Sequence, residues 1–326
     1  MQPDAIQRRT IPGTAVHLPM LGFGGAPIGN LYREGPEQEA IDAVAAAWDG
    51  GIRYFDTAPH YGLGLSERRI GAALAGQDRN TYVLSTKVGR LLRPNSSPGG
   101  RDREGFDVPD DLVRVRDYSR DGVLRSIEES LERLRTDRID VVYIHDPDEY
   151  WNEALQGAAP TLSSLRDEGV IGAWGAGMNQ AEMLHRFVTE TDIDVVMLAG
   201  RYTLLEQGAA LDLLPACLER DVAVVNVGVF NSGLLSKNRP ASGATYNYES
   251  APQDLLDKAS RLAEICESHG TTLPAAAVAY PYQHPAVTSV VLGMRTPEQV
   301  KQNLDLAAQS VPEALWDELR GLGLIS

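Results

Sequence analysis

Cysteine is scarce: Cys217 and Cys266 are the two in 326 residues, and their separation makes no C-x-x-C motif. That excludes a disulfide framework and a redox or zinc site of that type, and no metal is expected. Long apolar runs are also missing. No stretch of 18 apolar residues occurs, so no membrane span is expected. The opening MQPDAIQRRTIPG has no apolar core of signal-peptide length, and the expectation is a cytoplasmic protein. Positive charge is in deficit, with 30 Lys and Arg against 45 Asp and Glu, a formal charge of -15. A protein that tracks nucleic-acid phosphates or rests on anionic lipid needs the opposite balance, so neither partner is expected. One bound phosphate ester needs only a local site and stays open. What is present suits a globular protein: 43% hydrophobic and 23% charged residues supply a sizeable core without favouring disorder. The expected partner is a small-molecule substrate, and the expected state a monomer or small homo-oligomer.

The informative pattern is alternation. Short β-branched or apolar runs at 20–24, 53–56, 82–87, 139–144, 173–177, 195–198, 223–227 and 289–292 read as strands. Stretches of helical period lie between them at 38–50, 66–75, 121–134, 152–169, 181–189, 209–220 and 297–308. Strand-helix alternation means parallel strands joined by crossovers, and eight such units match an α/β fold of the (β/α)8 TIM-barrel type. One barrel domain over 1–326 is expected. Ahead of the first strand, 7–11 and 15–18 flank Pro12-Gly13 as a β-hairpin able to plug the barrel floor. A last helix is expected at 312–322. Two connections, 88–120 and 231–253, are too long for simple turns. Both follow a strand, so both should emerge at the face where barrel active sites sit, as lids.

The second strand runs into Asp56-Thr57-Ala58-Pro59-His60-Tyr61-Gly62, the third ends in Ser85-Thr86-Lys87, and the fourth in Ile144-His145-Asp146. An acid, a phenol, an ammonium and an imidazole thus stand at the ends of three successive strands, which a barrel makes neighbours. Taken singly each has an ordinary reading: Asp56 a loop cap, Tyr61 a rim aromatic, Lys87 a surface lysine, His145 a core histidine. Together they describe a proton-transfer site built round a tyrosine. A free tyrosine titrates near ~10, too high for an efficient base at neutral pH. A neighbouring ammonium favours the phenolate and is expected to lower that value. Asp56 would hold Lys87, and His145 would direct a substrate oxygen by a hydrogen bond.

These residues carry a resemblance. D-T-A-x-x-Y-G at 56–62, followed by Ser66, Glu67 and Gly71, with S-T-K at 85–87 and I-H at 144–145, resembles the aldo-keto reductase superfamily over about 18–308. The resemblance implies a barrel that binds a nicotinamide cofactor, NAD or NADP, and Asp56, Tyr61, Lys87 and His145 as the catalytic tetrad. It implies cofactor contacts from Gly24 and Asp56 and, after the fifth strand, from Asn179, where Met178 stands in place of the usual serine. After the sixth strand it implies Tyr202 stacking on the nicotinamide, the usual glutamine being absent. The seventh strand leads to Ser232, Gly233 and Leu234 for the pyrophosphate. The eighth leads to Gly293, Arg295, Thr296, Gln299 and Asn303 for the adenosine end. Asn303 and Gln299 lie four apart on one helix face, Thr296 is a plausible N-cap, and Arg295 could pair with a 2′-phosphate.

Further stretches, Phe23–Leu31, 56–69, 88–92, 105–111, 117–134 and 144–148, resemble the sugar-dehydrogenase branch of that superfamily. This implies oxidation of the C1 hydroxyl of an aldose of the L-fucose or D-threo type to a lactone. His60, Tyr61, His145 and Trp151 are the expected substrate contacts, Trp151 offering a flat face to a pyranose or a pyridoxal. The alternatives are a pyridoxal 4-dehydrogenase, a general NADPH-dependent aldehyde and ketone reductase and, least favoured, a non-catalytic redox-sensing subunit.

Overall fold

Eight short apolar strands close on one another in chain order: β1 (Leu21–Gly24), β2 (Tyr54–Asp56), β3 (Val83–Val88), β4 (Val141–His145), β5 (Ala173–Met178), β6 (Val195–Ala199), β7 (Ala223–Val227) and β8 (Val287–Gly293), with β8 returning to β1. The structure is a computed structural model, and it describes residues 6–240, 245–246 and 249–326. All eight pairings within the barrel are parallel, as the alternation requires. The expected barrel is therefore present, with strand ends shifted by one or two residues.

The crossovers supply the outer layer. α1 (Glu37–Asp49) buries Ala40, Ala43, Val44 and Ala47, the i, i+3, i+4, i+7 stripe of a helix with one face on a core. α2 (Leu65–Leu74) follows β2, and α3 (Arg120–Leu134) is capped by Ser119, whose hydroxyl accepts from Gly122 N at 3.1 Å. Beyond these come α4 (Ala159–Asp167), α5 (Ala181–Glu190), α6 (Leu213–Glu219), α7 (Gln253–Ser268), α8 (Leu273–Ala279), α9 (Pro297–Ala307) and α10 (Glu313–Gly321). Among the described residues no helix is long and apolar enough to cross a membrane. Cys217 and Cys266 lie in α6 and α7, fully buried and unpaired.

Three helical stretches differ from the sequence expectation. The single helix expected at 152–169 is a short α turn at Trp151–Glu153, a π turn at Ala154–Ala158, and then α4. Pro160 explains it: its ring has no N–H and clashes with the carbonyl four residues back, and a widened turn relieves both. The stretch 209–220 splits into a 3₁₀ turn at Gly208–Ala210 and α6, because Pro215 fits only a first turn. After β7, α7 and α8 precede β8; the stretch round Cys266 in α7 reads as helical in the sequence, whereas α8 was not expected.

The hairpin before β1 pairs Arg8–Thr10 with His17–Pro19. Its Ile11, Val16 and Leu18 pack into the barrel interior against Val83, Val141, Val195 and Val225. This is the floor plug. Above it, Tyr54 and Tyr143 join hydroxyls at 3.2 Å, and Ser85 donates upward from Tyr54 to Asp56 at 2.8 Å. The interior thus turns from apolar at the floor to polar at the C-terminal mouth.

The 88–120 connection is not an irregular loop. Arg90–Pro94 and Leu112–Arg116 form an antiparallel ribbon, and its tip folds back over the mouth. There Tyr32 N donates to Gly105 O at 2.8 Å and Asp107 N to Asn30 O at 2.9 Å. The 231–253 connection holds a small pair, Thr245–Tyr246 with Glu249–Ser250, and its residues 241–244 and 247–248 lie outside the described residues.

Candidate active site

Barrel register places the four candidate residues. Asp56 closes β2 opposite Ser85 of β3, Lys87 lies two residues further along the same inward face, and His145 ends β4. Tyr61 follows β2 in a loop that Gly62 closes with φ 62°, and a Cβ at Gly62 would stand 2.2 Å from Gly29 O. Only glycine tolerates that conformation so close to backbone. Ser66 and Glu67 fix the loop from behind. The Ser66 hydroxyl donates to Gly25 O at 2.8 Å, and the buried Glu67 carboxylate takes Thr86 Oγ1 at 2.7 Å and Arg133 Nε at 2.5 Å.

The result is a cavity of about 500 Å³ lined by Tyr61, Lys87 and His145, with His60, Asp146 and Asn179. Lys87 Nζ lies 2.7 and 2.9 Å from the Asp56 carboxylate oxygens and donates to Thr57 O at 2.8 Å. It also stands 4.7 Å from the centre of the Tyr61 ring. Burial pulls the Lys87 ammonium down, but the charges of Asp56 and Tyr61 and its hydrogen bonds outweigh that and hold its pKa above the ordinary value.

Tyr61 departs from expectation. Burial raises its phenol, Lys87 opposes this, and Asp56 on the far side of the ammonium adds to the rise, so the net direction is up, not down. An ammonium already neutralised by its own carboxylate cannot offset full desolvation of a phenolate. At neutral pH Tyr61 is therefore held as the protonated phenol.

His145 is held neutral. Burial, then Arg90, Lys87, His60 and Arg116, keep its pKa well below the usual imidazole value. A neutral ring keeps one N–H to donate. Its neighbour His60, 5.4 Å away between ring centres, is pushed down in the same way by burial and by Arg90 and Arg114. This sets a pH signature. Below about 6.5 an unfolded histidine takes up a proton that the folded ring refuses, so each of the two contributes a loss of stability as pH falls from 6.5, and no loss above it. The linkage slope is about 1.4 kcal/mol per pH unit for each ring. His60→Asn is expected to reduce the fall in unfolding free energy between pH 6.5 and 5 by about that slope, measured by urea titration at several pH values. An unchanged slope would show that His60 titrates normally.

A second cavity of about 390 Å³ adjoins the first, sharing Tyr32, Tyr61 and Met197, and runs between the ends of β1, β7 and β8. Gly24, Asp56, Ser232, Gly233 and Gly293 line it. Its walls are close. A Cβ at Gly24 would lie 3.2 Å from Leu292 O, and one at Gly293 3.0 Å from Pro27 Cγ. Asn231 Oδ1 is buried beside it without a hydrogen-bond partner. A glycine-trimmed groove with an orphaned acceptor, opening beside the phenol, suits part of a dinucleotide. Three residues beyond Gly293, Thr296 caps α9, accepting from Gln299 N at 3.3 Å, and Asn303 in that helix is buried.

Four expected contacts are placed otherwise. Trp151 does not line the cavity, because its ring packs on Phe187 at 4.7 Å under the Arg186 guanidinium. Tyr202 is buried against Tyr280 at 5.0 Å and lines neither cavity. The Leu234 side chain is in the core and does not line the groove. Arg295 donates to the carbonyls of Leu31 at 2.5 Å and Arg33 at 2.9 Å, tying the β8 loop to the β1 loop, so its guanidinium is already engaged. The aromatic walls are instead Phe106, from the ribbon tip, and Tyr32, which has φ 65° and is 62% exposed at the rim. Glu104 and Gly105 complete that side.

The model of the "Aldo/keto reductase family" matches residues 20–323. The chain is 49% identical over 312 residues to D-threo-aldose 1-dehydrogenase of Pseudomonas sp, covering 94% of this chain and 95% of that one. It is 37% identical to pyridoxal 4-dehydrogenase of Microbacterium luteolum over the full length of both. Among solved structures, an aldo-keto reductase from Bacillus halodurans in its holo form superposes with a TM-score of 0.77 at 25% identity, covering 98% of this chain and 97% of that one. With a barrel, a polar mouth and these relatives, the chain belongs to the aldo-keto reductase family and is an NAD(P)-dependent oxidoreductase.

Proposed function

We propose that the protein oxidises the C1 hydroxyl of an aldose of the L-fucose or D-threo type to the lactone, with the chain working as one barrel unit. The observation that carries the chemistry is the gathering of Tyr61, Lys87 and His145 at one cavity, with Asp56 paired to Lys87 and lining the adjoining groove. The D-threo-aldose 1-dehydrogenase relative, at 49% identity over nearly the whole of both chains, supports the substrate class.

The division of labour follows from position. Tyr61 exchanges the hydroxyl proton at its Oη. Lys87, held by Asp56, places positive charge beside the ring and limits the cost of a phenolate. His145, neutral, donates to the substrate oxygen and fixes its direction. Asn179, Ser232, Gly233, Gly24 and Gly293 hold the nicotinamide dinucleotide, with Thr296, Gln299 and Asn303 at its adenosine end. When bound, that group supplies the hydride acceptor.

The test is a steady-state screen of L-fucose, D-arabinose, L-galactose and pyridoxal, each with NAD and with NADP, and with lactone assayed directly. The expected result is reduced cofactor and lactone with the sugars. The pyridoxal 4-dehydrogenase relative favours a second reading. A kcat/KM for pyridoxal more than tenfold above that for every sugar would replace the first reading by the second.

A further inference from the structure

The ribbon tip brings a carboxylate to the cavity wall that the proton-transfer residues do not use. Glu104 lines the same cavity as Tyr61, Lys87 and His145, and its side chain is 51% exposed. One oxygen stands 3.8 Å from His60 Nδ1 and 3.8 Å from Arg90 Nη1, and the other 3.6 Å from Arg114 Nη1. The two arginine distances are ionic separations beyond hydrogen-bond reach, and the neutral His60 ring adds no charge there.

The neighbouring cations are committed elsewhere. Arg114 grips Asp102 at 2.6 and 3.2 Å and donates to His60 O at 2.8 Å, while Arg90 pairs with Asp146 at 2.5 Å. Both guanidinium groups are buried, and each leaves its Nε without a partner, as does His60 at Nδ1. The positive surroundings hold Glu104 at the mouth by charge. Among the described residues, no hydrogen bond reaches either of its oxygens. An ionised carboxylate has about four lone-pair sites and donates nothing. What complements it is a ligand bringing several O–H donors.

We infer that Glu104 is a specificity-determining residue: it accepts hydrogen bonds from substrate hydroxyls remote from the reacting carbon, and so selects polyhydroxylated substrates over plain aldehydes and alcohols. The inference rests on the proposed aldose reading and deepens it. Phe106, two residues on, supplies an apolar wall beside it, the pairing of flat face and acceptor that a sugar ring needs.

The experiment compares wild type, Glu104→Ala and Glu104→Gln on L-fucose oxidation and butanal reduction. In Glu104→Ala the ratio of kcat/KM for L-fucose to that for butanal is expected to fall about 10- to 100-fold, the loss of one charge-assisted hydrogen bond. The fall should lie mainly in KM for the sugar. Glu104→Gln should recover part of it, because an amide oxygen still accepts. A ratio unchanged in Glu104→Ala, in a wild type that oxidises L-fucose, overturns the role of Glu104 and leaves the aldose reading standing. A wild type that reduces butanal but oxidises no sugar overturns the aldose reading, and this inference with it.

Discussion

Tyr61→Phe is expected to lower turnover by about a thousandfold while cofactor binding is kept. General acid-base transfer by a placed side chain contributes roughly 10²–10⁴-fold, and the substitution removes only the hydroxyl. The ring keeps its neighbours, Phe106 at 5.9 Å and His145 at 5.8 Å, so the cavity should hold its shape. The raised phenol adds a directional signature. A protonated Tyr61 is ready to donate, so carbonyl reduction should stay level from neutral pH to about 9. Alcohol oxidation needs the phenolate, so it should climb with pH across the same range. Turnover and cofactor fluorescence titration check the first point, and pH profiles in both directions the second. A Phe variant within tenfold of wild type would remove Tyr61 from the chemistry.

What the sequence discloses follows a physical division. Strands are short apolar runs whose last residues turn polar at the mouth, so Asp56, Lys87 and His145 can be placed by counting, and register then brings them together. Side chains on loops obey no such count. Trp151 and His145 are six residues apart, but the π turn before Pro160 and the Arg186 guanidinium turn the indole away from the mouth. Tyr202 follows a strand end as expected, yet Tyr280 claims its ring. The 88–120 connection is expected at the mouth from its length and its place after a strand, but which of its residues reach the cavity, Glu104 and Phe106, depends on backbone bonds to residues 30 and 32 that no local pattern announces. α7 did leave a signal, in the apolar spacing of Leu255, Ala259, Leu262 and Cys266. α8 left almost none, because it is buried on nearly every side and so has no polar face to set a period. The direction of the Tyr61 shift depends on burial, which is a property of the closed barrel.

Asp56→Asn is expected to cost about 3–5 kcal/mol of folding stability as well as turnover, because it leaves an ammonium buried without its counter-charge. Lys87 is 2% exposed. Of the oxygens it donates to at 2.7–2.9 Å, Thr57 O is neutral and the two Asp56 carboxylate oxygens carry the compensating charge. Against a typical total of about 5–15 kcal/mol, that loss should move the urea midpoint visibly. Stability and chemistry can then be separated. Asp56→Asn with Lys87→Met removes both charges, and exchanging a buried ion pair for neutral groups of similar volume is often close to neutral. The double variant should therefore regain most of the lost stability yet stay inactive, because no cation remains beside Tyr61. If Asp56→Asn unfolds at the wild-type midpoint, Lys87 has shed its proton once its partner is gone, and the pair serves the ammonium's charge state and not the fold. If the double variant turns over substrate, proton transfer at Tyr61 proceeds without a neighbouring charge, and the electrostatic account of this site fails.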